Sequence, residues 1–238
     1  EKYLTLVKDF IVKKDISGIF KLLKHAVGEF NKIEFKEKEF PQIGIVGEIY
    51  VKFNSFGHGY ISDWLVKQGV EVIFPPLLEF FTQEFVNIQV NQNEGLKDKS
   101  LKLNTILFFF EKYVDRYISK ANRIIKKFRF YKPFHNIHHV AENAKDILSL
   151  VNQFGEGWLI PAEISTFAKE KINNIVSVQP FGCIANQIIS KGVEKRIKDL
   201  YPNMNLLFLD FDDGASEVNV HNRLHFMVTN MKSSKNQV

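Results

Sequence analysis

Residues 175–196, reading IVSVQPFGCIANQIISKGVEKR, restrict the fold more than any other stretch of this chain. The apolar run 175–178 has the length and side chains of a buried strand. Gln179-Pro180-Phe181-Gly182 ends it, because proline removes a backbone donor and glycine admits backbone angles closed to other residues. Ile184, Ile188, Ile189 and Val193 then recur near helical spacing. The result is a strand–loop–helix unit with the only cysteine of the chain, Cys183, at the expected start of the helix. The unpaired N–H groups and the dipole of a helix N-terminus favour a thiolate or a bound anion there.

A second unit lies upstream. Residues 43–51 read as a core strand and its exit, and Asn54-Ser55-Phe56-Gly57 as a turn. Ile61, Trp64, Leu65 and Gln68 mark a helix ended by Gly69, and 70–74 is a strand stopped by Pro75-Pro76. A strand–helix–strand crossover of this kind implies a parallel sheet. With a last strand at 205–211, four strands are expected, at about 43–50, 70–75, 175–180 and 205–211. Right-handed winding orders them 2-1-3-4, an α/β fold of the Rossmann or flavodoxin kind. Ligands of such sheets bind beyond the carboxyl ends of the strands where the order reverses, between the first and third. Glu48 and residues 179–183 lie at those two ends.

The remaining segments read as helices and connections. Residues 1–40 hold two amphipathic helices with Asp15-Ile16-Ser17 and Gly18 as the turn between them, followed by a charged solvated run at 32–39. The α/β domain spans 41–231 and carries a helical insertion at about 78–150. Its expected helices are 77–90, 101–127 with Phe108-Phe109-Phe110, and, after the break at Pro133, 137–154. Gly155-Glu156-Gly157 closes the insertion, Pro161 fits a first helical position, and the polar tail 232–238 is expected to be disordered. Leu4, Val7, Phe10 and Ile11 already follow a helical pattern, so the chain is expected to be a piece of a longer protein.

The composition sets outer bounds. Of 238 residues 45% are hydrophobic and 25% charged, with 23 phenylalanines, as in a globular protein with an aromatic core. The net charge of +5 suits an anionic ligand such as a coenzyme A ester. The basic residues read as dispersed, without the aromatic-interleaved stripe of a nucleic-acid binder. One cysteine excludes an intrachain disulfide and fits a reducing, cytoplasmic compartment. No apolar run reaches membrane-spanning length.

Several groups have side chains capable of chemistry. Cys183 is a candidate metal ligand or nucleophile, against the commoner role of a packed thiol. Gly44-x-x-Gly47-Glu48 lacks the third glycine of a dinucleotide fingerprint; Glu48 there either accepts a substrate proton or hydrogen bond, or caps the next turn. His135, His138 or His139, and Glu142 have the spacing of a metal-binding helix face without a known zinc signature, and polar surface is the commoner meaning. Asp210-x-Asp212-Asp213-Gly214 falls short of both a calcium loop and a phosphatase aspartate pair. It reads first as a turn and helix start, capped by Asp213 or Ser216. Lys191, Lys195 and Arg196 follow Cys183 and either meet phosphates or form a solvated helix face.

Taken in order, Gly44-Ile-Val-Gly-Glu-Ile-Tyr50, residues 70–76, Gly155-Glu-Gly-Trp158, Gln179-Pro-Phe-Gly-Cys183, Lys191-Gly192 and Asp210-x-Asp212-x-Gly214-Ala-Ser-Glu217 resemble the 2-hydroxyacyl-CoA dehydratase family, which includes benzoyl-CoA reductase components. The likeness is to the dehydratase-component-like part of the large fused dehydratase activators, and it covers about 43–77 and 150–228. It implies iron–sulfur chemistry: an electron from an ATP-driven activator starts radical elimination of water from a 2-hydroxyacyl-CoA. On this resemblance Cys183 is the cluster ligand, with Gln179 and Gly182 beside the cofactor, and Glu48 and Glu156 line the crevice as catalytic candidates. Cluster-bearing members supply several cysteines where this chain has one, so either the other ligands lie in a preceding domain outside this chain or no cluster is held here. The chain has no P-loop and is not itself the ATP-hydrolysing activator.

Overall fold

A computed structural model describes residues 2–35, 39–212, 214 and 217–235. In chain order the elements are α1 (Lys2–Val12), α2 (Ile16–Phe30), β1 (Gln42–Gly47), α3 (Ile49–Phe53), α4 (Ile61–Lys67), β2 (Glu71–Ile73), α5 (Leu77–Asn93) and α6 (Leu101–Ile125). They continue with α7 (Ile137–Ala144), α8 (Leu159–Lys169), β3 (Asn174–Pro180), a π-helical turn (Ala185–Ser190), α9 (Glu194–Leu200), β4 (Asn205–Phe211) and α10 (Glu217–Lys235).

The four strands form one sheet in the order β2-β1-β3-β4, every neighbouring pair parallel, as expected. Side-chain alternation along the strands builds two apolar layers. Ile43, Ile45, Val176, Val178 and Leu209 pack on one face with Leu65 of α4 and Leu224 and Met227 of α10. Val46 and Ile175 point to the other, with Ile160, Ile164 and Phe167 of α8 and Ile197 of α9. A third apolar group joins α5, α7 and α8 around Trp158, whose indole N–H donates to Asn87 Oδ1 at 2.8 Å.

The chain divides into two compact units, residues 1–38 with 99–136, and residues 39–98 with 137–238. The insertion expected at about 78–150 is therefore split. Its middle, α6, belongs with α1 and α2, while α5 and α7 belong to the sheet unit. In the helical unit Phe20 stacks on Tyr117, and Asn31 holds both Lys127 O and Arg129 N. Gly18 lies inside α2 rather than in a turn. Asp15 caps that helix through the Gly18 N–H at 2.8 Å, and a Cβ on Gly18 would stand 2.3 Å from the Phe10 ring. A side chain there would force α1 away from α2.

Other expectations change in detail. Residues 49–53 are helical, so β1 ends at Gly47. The helix expected at 137–154 ends at Ala144, and Pro161 stands third in α8 rather than first, still within the first turn, where its missing N–H costs no bond. The tail expected to be disordered is helical as far as Lys235; residues 236–238 lie outside the described residues. The basic residues are not dispersed: of 32 Lys and Arg, 19 fall in residues 1–38 and 99–136, which hold only 8 of the 27 acidic residues. No helix among the described residues is long and apolar enough to cross a membrane.

Candidate functional site

The exits of β1 and β3 are locked together. The paired residues run from Gly44 with Ile175 to Gly47 with Val178, and the Glu48 N–H continues the ladder to Val178 O at 2.9 Å. Gly47 has φ +123°, and a Cβ there would lie 2.0 Å from Val178 O. Only glycine lets the strands approach this closely before the chain turns away.

The turn that follows is held by carboxylates. Glu48 accepts the N–H groups of Tyr50 at 3.0 Å and Val51 at 2.8 Å, and Glu156 Oε1 accepts that of Ile49 at 2.8 Å. These donors, at the start of α3, would otherwise be unpaired. The two glutamates expected to be catalytic do meet at the β1 exit, and their oxygens there act as caps. Behind them lies a buried charged group. Lys52 of α3 contacts Glu163 Oε1 of α8 at 2.7 Å, with both side chains about fully enclosed, 2% and 1% exposed. Burial pushes the Glu163 carboxyl above its ordinary range, against the pull of Lys52. Glu79 of α5 is also buried; desolvation, reinforced by Glu163, pushes its carboxyl up to about 8. Oε2 of Glu163 has no hydrogen-bond partner.

Beyond β3, the Phe181 N–H reaches Phe211 O at 3.0 Å and extends pairing to β4. Gly182 takes φ +79°, and the chain enters a helical run at Ile184 that widens into the π-helical turn. Cys183 is half-buried at its start, where its sulfur accepts a hydrogen bond from Asn186 Nδ2 at 3.3 Å. Asn186 is fully buried with Ser177 and Ser190. Phe181, Ile184 and Ile188, near Cys183 in the chain, are exposed.

Asp210 of β4 anchors this corner. It accepts from Gln179, from Gln187 Nε2 at 2.8 Å and from Lys191 Nζ at 3.0 Å. Partial burial opposes its ionisation. The hydrogen bonds from Gln179 and Lys191, with the charges of Lys191 and Arg223, prevail and hold the carboxyl below its ordinary range. Lys191 thus serves an internal ion pair, and Gln179, completely buried, ties β3 to β4.

A cleft of about 810 Å³ opens over these strand ends. Glu48, Pro180 and Phe211 from the three exits line it, together with Tyr50, Phe56, Tyr60, Asp212, Glu217 and His221. Cys183 and Glu156 are outside its lining. His221 carried no signal in the sequence beyond its place one turn after the Asp212 loop. His138 and Glu142 instead line a hollow of about 480 Å³ between α5 and α7. No group of three or more His, Cys, Asp and Glu among the described residues is placed to hold a metal ion. Asp213 and Ser216, the expected caps of the last helix, lie outside the described residues.

No protein-family model, curated protein or solved structure matches the chain. Its own geometry and motifs therefore carry the functional argument.

Proposed function

We propose that this chain is one domain of an iron–sulfur 2-hydroxyacyl-CoA dehydratase, or of its fused activator, working in a reducing cytoplasmic compartment. In this reading it contributes Cys183 and part of a crevice for an acyl-CoA to a larger protein or complex. The observation that carries the reading is the position of Cys183: a half-buried cysteine at the exit of β3, in the Gln-Pro-Phe-Gly-Cys run, with exposed Phe181, Ile184 and Ile188 nearby in the chain. Such exposed apolar side chains suit a face completed by another domain.

An iron–sulfur cluster takes several thiolates, and this chain has one cysteine. The residues present do not fit a complete cluster, so Cys183 supplies a single ligand at most and the rest come from elsewhere. The test is anaerobic purification of the longer gene product. A brown protein whose iron content falls in Cys183→Ser supports the reading; an iron-free product, or iron unchanged by the substitution, refutes it.

A second reading, a non-catalytic binding or assembly module, is favoured by Glu48. Both of its carboxylate oxygens are engaged by α3, and Glu156 is engaged beside it. This reading expects a Cys183→Ser variant to assemble with its partners and function as the native chain does.

A further inference from the structure

Positive charge is concentrated on the helical unit, which holds 19 of the 32 basic residues and 8 of the 27 acidic ones. Lys21, Lys24 and Gly28 of α2, and Lys32 just past its end, recur at helical spacing and share one face. With His25 and Glu29 they line a hollow of about 460 Å³. A Cβ on Gly28 would meet nothing within 4 Å, so the middle of this face stays open. Glu29 is already engaged: Lys2 Nζ lies 3.0 Å from its carboxylate, and the Tyr3 hydroxyl donates to it. The three lysines therefore set the charge of the hollow along about 17 Å of helix.

At the end of α2 the hollow gives way to an aromatic corner. Asn31 holds Lys127 O and Arg129 N, which fastens residues 126–134 to the C-terminus of α2. That stretch, Lys-Lys-Phe-Arg-Phe-Tyr-Lys-Pro-Phe, has four cationic side chains, four aromatic rings and no acid. Phe130 meets Phe35 edge to face with centroids 5.1 Å apart, and the Arg129 guanidinium lies 4.7 Å from the Phe35 ring centre. Both rings are nevertheless open to solvent, Phe35 49% and Phe130 59% exposed. Residues distant in the chain thus assemble the aromatic-interleaved basic surface that sequence spacing did not reveal. We propose that this face binds single-stranded nucleic acid, with Lys21, Lys24 and Lys32 following the phosphates and Phe35 and Phe130 stacking on unpaired bases. A duplex hides its base faces, and an anionic membrane is too flat to fill the hollow. The inference goes beyond the reading of Cys183 and does not depend on it.

Anisotropy titrations at about 50 to 200 mM salt test it, with a labelled oligothymidylate, an oligouridylate and a duplex, each of about fifteen nucleotides. The single strands are expected to bind roughly tenfold tighter than the duplex or better, the tighter of the two naming the sugar. Phe130→Ala is expected to cost roughly tenfold on the single strands, the size of one lost stack, and to leave the salt dependence unchanged. Replacing Lys21, Lys24 and Lys32 together by Gln is expected to lower the slope of log affinity against log salt by about two, three phosphate contacts at roughly 0.7 each. All four positions are exposed, and circular dichroism of both variants is expected to match the native chain. Absence of single-strand binding at about 50 mM salt, a duplex bound as tightly, an unchanged slope in the lysine variant, or unchanged affinity in Phe130→Ala each overturns the proposal. So does binding to phosphatidylcholine–phosphatidylglycerol vesicles that the oligonucleotides fail to displace, which assigns the face to a membrane.

Discussion

Glu79 makes the stability of the sheet unit depend on pH near neutrality. Its side chain is buried on α5, and burial together with the Glu163 charge holds its carboxyl at about 8 against an ordinary value of 4.5. Between those values the folded state binds a proton that the unfolded chain has released. The proton balance therefore favours unfolding as pH rises. The contribution is full below the unfolded value and disappears as pH climbs through about 8. Each pH unit in that window removes about 1.4 kcal/mol, so passage from pH 5 to 8 costs roughly 3–4 kcal/mol. Glu163, shifted in the same direction by burial, adds to the slope, whereas Asp210, shifted downward, acts only on the acid side of the window. Glu79→Gln replaces a neutral acid by a neutral amide of the same shape. The variant is expected to match the native chain at pH 5 and to exceed it by a few kcal/mol at pH 8. Both tryptophans, Trp64 and Trp158, lie in the sheet unit, so urea unfolding followed by intrinsic fluorescence reports on it. Parallel stability curves for the two proteins across pH 5–8 would refute the linkage.

The same assay checks two further outcomes. Lys52→Met strands the enclosed Glu163 carboxylate and is expected to cost about 3–5 kcal/mol, whereas Lys52→Met with Glu163→Met, which removes both charges, recovers most of the loss. Gly47→Ala drives a methyl group into the Val178 carbonyl and is expected to cost about 3 kcal/mol or more; a loss below about 1 kcal/mol would show that the β1 exit yields.

What the sequence revealed followed from local chemistry. The strands are short runs rich in β-branched and aliphatic residues bounded by glycine, proline or polar turns, and handedness then left one simple order for a parallel sheet. The Cys183 loop was legible because proline and glycine bracket it. The stretch 49–53, Ile-Tyr-Val-Lys-Phe, misled for the same reason: its side chains prefer a strand. Its helical form depends on Glu48 next door and on Glu156, 107 positions from the N–H it caps. No local pattern contains that second carboxylate. The long helix α6 was legible as a helix, but an amphipathic pattern does not say which partner covers it, and its companions are the N-terminal α1 and α2. His221 escaped because a single histidine on a polar helix has no spacing to betray it. Only its contact with the Glu217 carbonyl and its place in the cleft distinguish it.

These contacts also explain how so short a helix can shape the cleft. Five residues are too few for α3 to persist by itself. Glu48 and Glu156 occupy its first N–H groups, and Lys52 fastens its far side to α8 through Glu163. Tyr50 and Val51, on the same helix, face the cleft. The position of α3 along the cleft is therefore set by Glu48 at the cleft's edge and by Glu156, Lys52 and Glu163, which lie outside its lining. Water does not compete for an enclosed pair, so the geometry resists salt and thermal fluctuation more than a surface pair would. The cost is a group of acids that cannot all ionise together around one lysine. Burial pushes the carboxyls of both Glu163 and Glu79 upward, each opposing the ionisation of the other, so the acids around Lys52 share that conflict.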